Sequence, residues 1–85
     1  MEMCFVYVLG CSESKGKTRT YVGWTTDLER RTKEHNSGTG ARSTRGRTWH
    51  LLYAEMYTNR REAMRREWNL KRDTNMRNEI RRCMI

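Results

Sequence analysis

Five polar side chains along this chain have the chemical types that hydrolysis of a phosphodiester needs. They are Tyr7, Tyr21, Arg31, His35 and Glu67. A phenol or an imidazole can transfer a proton, a guanidinium matches the oxygens of a phosphate, and a carboxylate can hold a divalent metal ion. Each residue also has an ordinary structural role when it is taken alone. The set therefore predicts catalysis only if the fold brings its members together.

Glu67 is the most informative member of the set. It falls in a helix predicted over about residues 60–72, which begins after the capping pattern of Asn59 and Glu62. At about 100° per residue, the core stripe of that helix contains Ala63, Met64, Leu70 and the stem of Lys71. Glu67 lies in the middle of this stripe, where an ionised carboxylate is costly unless it is paired or bound to a metal. The structural alternative is an ion pair with an arginine from a neighbouring strand or helix.

The two tyrosines lie on segments that predict an antiparallel hairpin. Residues 4–9 and 18–24 are rich in β-branched and aromatic side chains, which favour strands. The segment 11–17 between them is polar and contains a glycine, so it is predicted to be the hairpin loop.

Alternation along the strands then places the two phenols. Because successive side chains point to opposite faces, Phe5, Tyr7 and Leu9 share one face and Val6 and Val8 share the other. Tyr21 and Gly23 likewise share a face of the second strand. In a suitable register, Tyr7 and Tyr21 lie side by side.

A helix is predicted to follow the hairpin over about residues 27–36. Thr26 and Glu29 have the spacing of a capping box, and Gly38 is a typical residue just beyond a helix end. One stripe of this helix contains Leu28, Arg31, Thr32 and His35. Leu28 is the buried anchor of the stripe, so its arginine and histidine are expected at the edge where the helix meets the sheet.

Three further segments complete the predicted elements. The glycine-rich loop 37–47 carries three arginines and no acid. Residues 48–57 predict a third strand, with Trp49, Leu51 and Tyr53 on one side. A final short helix, capped near Thr74, is expected to present Met76, Ile80, Cys83 and Met84.

The charge balance favours a polyanionic partner. Lys plus Arg is 18 and Asp plus Glu is 10, so the net charge is +8 and the pI is near 10. Of the cations, 14 are arginine, whose planar fork suits phosphate oxygens. A small arginine-rich domain of this pI is typical of nucleic-acid binding. Anionic membranes and acidic proteins are the alternative partners.

Composition also indicates the cellular compartment. The chain has no apolar run long enough for a transmembrane helix and no signal-peptide pattern. Cys4, Cys11 and Cys83 form no Cys-x-x-Cys pair, so neither a zinc site nor a disulfide framework is predicted. We expect reduced thiols and a cytoplasmic protein.

In chain order, the candidate residues resemble the signature of the GIY-YIG endonuclease superfamily. The matching motifs are Phe5-Val6-Tyr7, Tyr21-Val22-Gly23, Leu28-x-x-Arg31-x-x-x-His35 and Ala63-x-x-x-Glu67. The resemblance extends over about residues 4–84 and is strongest to small stand-alone (URI-type) members. The first motif reads Phe-Val-Tyr where the family has Gly-Ile-Tyr, and its hairpin loop is longer than expected.

The resemblance implies an α+β fold in one domain, residues 1–85. A small three-stranded, mostly antiparallel sheet is flanked by about three helices, and the place of the third strand in the sheet rests on the resemblance alone. Many relatives carry a second DNA-binding or metal-binding domain, and we expect none here. That difference bears on substrate choice more than on chemistry.

The resemblance also implies a role for each site residue. Glu67 would hold Mg²⁺ or Mn²⁺, and Tyr7 would deprotonate the attacking water, its phenolate favoured by cations such as Arg31. Arg31 would stabilise charge on the phosphate, Tyr21 would orient the water or a phosphate oxygen, and His35 would orient Tyr7 or accept its proton. Gly23 would serve structurally, by letting its strand pass close to its neighbours or to substrate.

Nucleic-acid binding is expected to rest on arginines outside this set. They are Arg42, Arg45 and Arg47 in the loop and Arg60, Arg61, Arg65 and Arg66 on the later helix. Contacts of this kind neutralise phosphates and carry little sequence information. We therefore expect weak sequence preference, with selection for branched or single-stranded DNA.

The sequence thus predicts a metal-dependent endonuclease that nicks DNA in repair or recombination, as a monomer or weak dimer. One alternative is a nucleic-acid-binding module that is inactive or very slow without a partner protein. Another is a basic adaptor for an acidic protein. The carboxylate on a core stripe favours the enzyme, because a pure binding module does not need it.

Overall fold

The computed structural model describes residues 3–12 and 18–82 and has the predicted α+β architecture. Three strands, β1 (Cys4–Ser12), β2 (Thr18–Thr25) and β3 (His50–Tyr57), form one sheet in the order β2-β1-β3, and both pairings are antiparallel. The helices are α1 (Leu28–Ser37), α2 (Arg60–Arg72) and α3 (Thr74–Arg81), with a 3-10 turn at Arg42–Thr44. The central strand β1 therefore carries the first tyrosine motif.

The β1–β2 register determines where the two phenols lie. Tyr7 pairs with Gly23 and Leu9 pairs with Tyr21, so the two tyrosines are diagonal neighbours on one face of the sheet. Residues 11 and 12 extend β1 and were wrongly assigned to the hairpin loop. Ladder pairing with β2 continues through both of these residues, which keeps them extended. The rest of the predicted loop lies outside the described residues.

The two faces of the sheet support two separate clusters. One face packs against α2 and α3 through Cys4, Val6, Val8, Val22, Ala63, Leu70 and Ile80. The other face packs against α1 through Tyr7, Leu9, Cys11 and Trp49, with Tyr21 and Leu28 partly buried beside them. The predicted alternation along β1 is confirmed, and its two cysteines, Cys4 and Cys11, are buried on opposite faces of the sheet.

A β-bulge changes the predicted alternation along β3. Val8 pairs with Tyr53 whereas Leu9 pairs with Leu51, so Leu52 is an extra residue opposite β1. The expectation that Tyr53 lies on the same side as Trp49 is therefore wrong, and Tyr53 packs against the α2 side of the sheet. One inserted residue moves every later side chain of a strand to the other face.

The N-cap residue of helix α1 lies one position later than predicted. Asp27, not Thr26, is the N-cap, and its Oδ1 accepts a hydrogen bond from the backbone N–H of Arg30 at 3.0 Å. Thr25 Oγ1 accepts from the backbone N–H of Asp27 at 3.1 Å, which holds the preceding turn. The predicted helix end is confirmed, since Gly38 has φ 85° and closes the helix in the left-handed conformation.

Helix α2 begins as predicted, because the Asn59 side chain accepts from the backbone N–H groups of Arg61 and Glu62. Its core stripe is narrower than predicted. Met64 is 50% exposed, whereas Ala63 and Leu70 are fully buried.

Helix α3 is capped by Asp73, immediately before Thr74. It buries Ile80 and packs Met76 against the core, as predicted. Cys83 and Met84 lie outside the described residues. In the described part of the chain, no helix is long and apolar enough to cross a membrane.

Candidate active site

Tyr7 and His35 form a buried hydrogen bond between β1 and α1. The Tyr7 Oη atom lies 2.9 Å from Nε2 of His35, across 28 positions of sequence. The Tyr7 residue is 1% exposed and His35 is fully buried. The fold therefore joins the first tyrosine motif to the helix stripe, as the candidate site required.

A chain of hydrogen bonds assigns the proton on His35. Thr44 Oγ1 donates to the backbone carbonyl of Ala41 at 2.7 Å, so its lone pair is free to accept from Nδ1 of His35 at 2.8 Å. The His35 proton therefore resides on Nδ1, and Nε2 accepts from the Tyr7 hydroxyl. The imidazole is neutral, consistent with the lowered pKa of His35.

The loop after α1 packs tightly around this imidazole. A Cβ atom on Gly40 would lie 2.6 Å from Nδ1 and 2.9 Å from Cα of His35, so a larger residue would displace the ring. Trp49 Nε1 donates to the Thr44 carbonyl at 2.9 Å, and the Asn36 side-chain amide bonds both backbone groups of Trp49, at 2.5 and 3.1 Å. These contacts hold Thr44 at the ring.

Gly40 and Thr44 were missed by the sequence reasoning. A second glycine soon after Gly38 was a usable signal, because the helix end requires only one glycine with positive φ. Thr44 had no such signal, since its residue type and loop do not distinguish it from Thr39 or Thr48.

Gly23 makes room for the phenol of Tyr7. A Cβ atom at Gly23 would lie 2.5 Å from Oη and 2.7 Å from Cζ of Tyr7, and 3.1 Å from Cε2 of Tyr21. The ring centroids of Tyr7 and Tyr21 are 6.4 Å apart, and those of Tyr21 and His35 are 4.8 Å apart. The strands thus bring the two tyrosines together as predicted, with Gly23 beneath them.

Burial keeps the Tyr7 hydroxyl protonated. It raises the pKa of Tyr7 to about 12, even though the Arg31 guanidinium acts on the hydroxyl in the opposite direction. The charges of Tyr21 and Glu67 raise the same pKa further. Arg31 thus favours the phenolate, as expected, but desolvation of the charged form outweighs it and Tyr7 stays protonated. Burial and the Arg31 charge also lower the pKa of His35.

Arg31 lies at the rim of the site, where the helix stripe placed it. Its side chain is 31% exposed, and Nη1 bonds Oε1 of Glu34 at 3.0 Å. The guanidinium is therefore half-buried beside Tyr7 and still accessible to an anion.

Glu67 lies on the border of the core and not within it. Its side chain is 21% exposed, and Lys71 Nζ lies 3.6 Å from its Oε1, on the same helix. The predicted position in mid-stripe is wrong because Met64, one turn earlier, is exposed. The carboxylate is near enough to Tyr7 to raise the pKa of that hydroxyl.

The donor set limits which metal ion could bind. Between residues 3 and 82, apart from 13–17, no three His, Cys, Asp or Glu side chains form a cluster that could hold an ion. A single carboxylate fits Mg²⁺, which keeps several waters and binds through one or two carboxylates and substrate phosphates. Glu67 is suited to this role because the Lys71 ion pair is long and Lys71 is 48% exposed.

The predicted phosphate-binding arginines fall into two groups. Arg42 and Arg45 are exposed near the 3-10 turn and Arg47 is half-buried, while Arg60, Arg61 and Arg65 are exposed on α2. Arg66 is different because it makes a two-pronged ion pair with Glu55, with Nε to Oε1 at 2.8 Å and Nη2 to Oε2 at 3.0 Å. It anchors α2 to β3.

Residues 3–80 match the family model of the GIY-YIG catalytic domain. The chain belongs to the GIY-YIG family. Membership implies a nuclease, a hydrolase of phosphodiester bonds, with nucleic acid as its substrate.

The similar proteins carry the name UPF0213. The chain is 45% identical over 73 residues to UPF0213 protein CPE1444 of Clostridium perfringens, covering 85% of this chain and 74% of the relative. It is 47% identical over 70 residues to UPF0213 protein VNG_2274C of Halobacterium salinarum, covering 81% and 86%. The solution NMR structure of UPF0213 protein BH0048 from Bacillus halodurans shares 38% identity and a TM-score of 0.50, covering 91% of this chain and 79% of that one.

Proposed function

We propose that this GIY-YIG protein is a divalent-metal-dependent endonuclease that nicks DNA with little sequence preference, in repair or recombination. The observation that carries the proposal is the buried Tyr7–His35 hydrogen bond, with Arg31 at its rim and Glu67 electrostatically coupled to it. A binding module has no need for a phenol directed at a neutral imidazole.

The first step is removal of a proton from the attacking water. With a pKa of about 12, Tyr7 is a neutral phenol at neutral pH and needs an acceptor for its own proton. His35 Nε2, at 2.9 Å, takes that proton while Tyr7 Oη takes one from water. The proton on Nδ1 stays hydrogen-bonded to Thr44 throughout, which keeps the resulting imidazolium oriented.

The remaining residues act on the phosphate. Arg31 neutralises charge that grows on the non-bridging oxygens, and Tyr21 orients the water or one of those oxygens. Glu67 provides the carboxylate for Mg²⁺ or Mn²⁺. Such an ion, when bound, supplies Lewis-acid stabilisation of the leaving 3′ oxygen.

Affinity for the substrate comes from cations outside the catalytic group. Arg42, Arg45, Arg47, Arg60 and Arg61 bind phosphates along the strand. These contacts do not distinguish sequences, so selection depends on the shape of the nucleic acid. The net charge of +8 supports this assignment.

The test is nicking of supercoiled plasmid with Mg²⁺ or Mn²⁺. We expect Glu67→Gln and Tyr7→Phe each to lose about 10²–10⁴-fold in rate. The matched controls are Glu62→Gln, in the exposed first turn of α2, and Tyr57→Phe, on the opposite face of the sheet. Equal nicking by all five proteins would refute the proposal.

A second candidate is a nucleic-acid-binding module that stays idle until a partner protein joins it. The pKa of Tyr7, about 12, favours this candidate, because a cation that a partner places beside the phenol would lower that pKa and promote proton transfer to His35. It predicts salt-sensitive binding without nicking in the wild type, and nicking that appears when the partner is added.

A further inference from the structure

The outward side of α2 carries a tryptophan that the core does not use. Trp68 is 55% exposed, whereas Ala63 and Leu70, which pack α2 onto the sheet, are fully buried. The guanidinium carbon of Arg72 lies 3.6 Å from the centroid of the Trp68 ring, and Arg72 Nη1 donates to the Trp68 carbonyl at 3.3 Å. The ring is thus oriented at the surface with a cation already stacked on it.

Trp68 belongs to a longer stripe of exposed side chains. At about 100° per residue, one side of α2 contains Arg61, Met64, Arg65, Trp68 and Arg72, and all five are exposed. The stripe extends for about 16 Å along the helix axis. It alternates guanidiniums with large apolar groups, whereas a helix that merely faces water is expected to be polar on that side.

We propose that this stripe binds an unpaired strand of nucleic acid, with one base stacked on Trp68. The proposal rests on the nuclease function only in taking nucleic acid as the substrate. Aromatic side chains set among phosphate-binding cations are the recurring platform for single strands, because every base has a π-face and every nucleotide has a phosphate. Arg61, Arg65 and Arg72 hold the phosphates on either side of the stacked base.

Charge and shape select this occupant over others. Tryptophan, methionine and arginine also occur at protein interfaces, but a protein partner would have to supply carboxylates for three desolvated guanidiniums. The net charge of +8 and the nucleic-acid substrate of the family favour a phosphate backbone. A duplex would satisfy the arginines but keeps its base faces within its own stack, so Trp68 would gain no partner. An unpaired strand satisfies both groups at once.

The platform adjoins the catalytic group. Trp68 follows Glu67 directly in the chain, so the stacking side of α2 is one helical step from the carboxylate. Successive positions on a helix point about 100° apart, so a strand lying on Trp68 runs along the outward side of α2, next to the side that carries Glu67.

The test compares two oligomers of the same length without divalent metal, by fluorescence anisotropy. One is oligothymidylate and the other is an abasic strand with identical phosphates. We expect Trp68→Leu to weaken binding of oligothymidylate by roughly 5- to 150-fold and to leave binding of the abasic strand unchanged. Trp68→Phe keeps a stacking ring and should retain most of the affinity. Circular dichroism confirms the fold of each variant.

The control variant is Arg65→Gln, which removes a phosphate contact. It should weaken binding of both oligomers by the same factor. A loss of affinity in Trp68→Leu that is confined to oligothymidylate supports the platform. If Trp68→Leu matches the wild type with both, or weakens the abasic strand equally, the platform is refuted. Because no cleavage is involved, that result leaves the nuclease proposal intact.

Discussion

The hydroxyl of Tyr7 donates to Nε2 of His35 at 2.9 Å, and the same imidazole donates from Nδ1 to Thr44 at 2.8 Å. The histidine thereby acts as an oriented acceptor between a strand and a loop. A phenol whose pKa is about 12 cannot serve as a base at neutral pH unless its own proton has somewhere to go. In the proposed mechanism, His35 is that destination.

The first prediction concerns Thr44 as the residue that orients His35. Thr44→Val removes the acceptor from Nδ1 and the donor to Ala41, so we expect the Nδ1–H form to lose its preference. Stability should fall by about 1–3 kcal/mol. Nitrogen-15 spectra of the imidazole report the tautomer, with His50→Gln used to remove the other histidine. Thr44→Ser keeps the hydroxyl and should restore the wild-type spectrum; a Val variant with that spectrum would contradict the assignment.

The second prediction concerns the space under Tyr7. In Gly23→Ala the new Cβ would lie 2.5 Å from Tyr7 Oη, so the phenol must move away from His35. We expect nicking to be lost and stability to fall by about 1–3 kcal/mol. Gly46→Ala is the control, because Gly46 has φ 78° and nothing within 4 Å of its Cβ position. That variant should be strained and somewhat less stable but fully active, and loss of activity in both would show only a stability effect.

A third prediction concerns pH and the state of His35. Burial and the Arg31 charge lower the pKa of His35, while Glu34 on the same helix raises it. Tyr7 and Tyr21 face the ring from the two strands. Because the neutral imidazole is the proposed proton acceptor, the nicking rate should fall as pH drops through the lowered pKa of His35. Rates measured at constant ionic strength, beside an NMR titration of His35, test this, and a rate that rises on acidification would contradict it.

The fourth prediction concerns acid stability through Glu55. Burial acts to raise its pKa, but hydrogen bonds from Arg66, Tyr53 and Tyr57 outweigh it and lower the pKa to about 2. The stabilisation is complete above the usual value near 4.5 and is lost as pH falls from there toward 2. Glu55→Gln should reduce stability at pH 7 by about 1–3 kcal/mol. It should also make stability depend less on pH in this acidic range. Urea unfolding at several pH values measures both, with exposed Glu79→Gln as the control.

The fifth prediction concerns how strongly salt weakens nucleic-acid binding. Arg45 is exposed beside the 3-10 turn and is proposed to contact a phosphate. Arg45→Gln should reduce the slope of log affinity against log salt by about 0.7–0.9, because one fewer counterion is released. Lys33→Gln is the comparison, since Lys33 is paired with Glu29 at 3.3 Å on α1. A slope that stays the same in Arg45→Gln would remove that residue from the interface.

The sequence by itself determined the elements and the order of the site residues. Alternation in residues 4–9, the helix end at Gly38 and the cap at Asn59 are local patterns, which depend on neighbours a few positions away. Alternation also placed Tyr7 and Tyr21 on one face of the hairpin, whereas the register that makes them diagonal neighbours came from the tertiary structure.

Only the tertiary structure decided which groups of the site carry protons and which contacts hold them in place. The bulge at Leu52, the contact of Thr44 with His35 and the pairing of Arg66 with Glu55 each join distant parts of the chain. The pKa of Tyr7 depends on how much surrounding protein excludes water, which no spacing of residues encodes. Local periodicity is read from neighbouring residues, whereas burial results from all segments packing together.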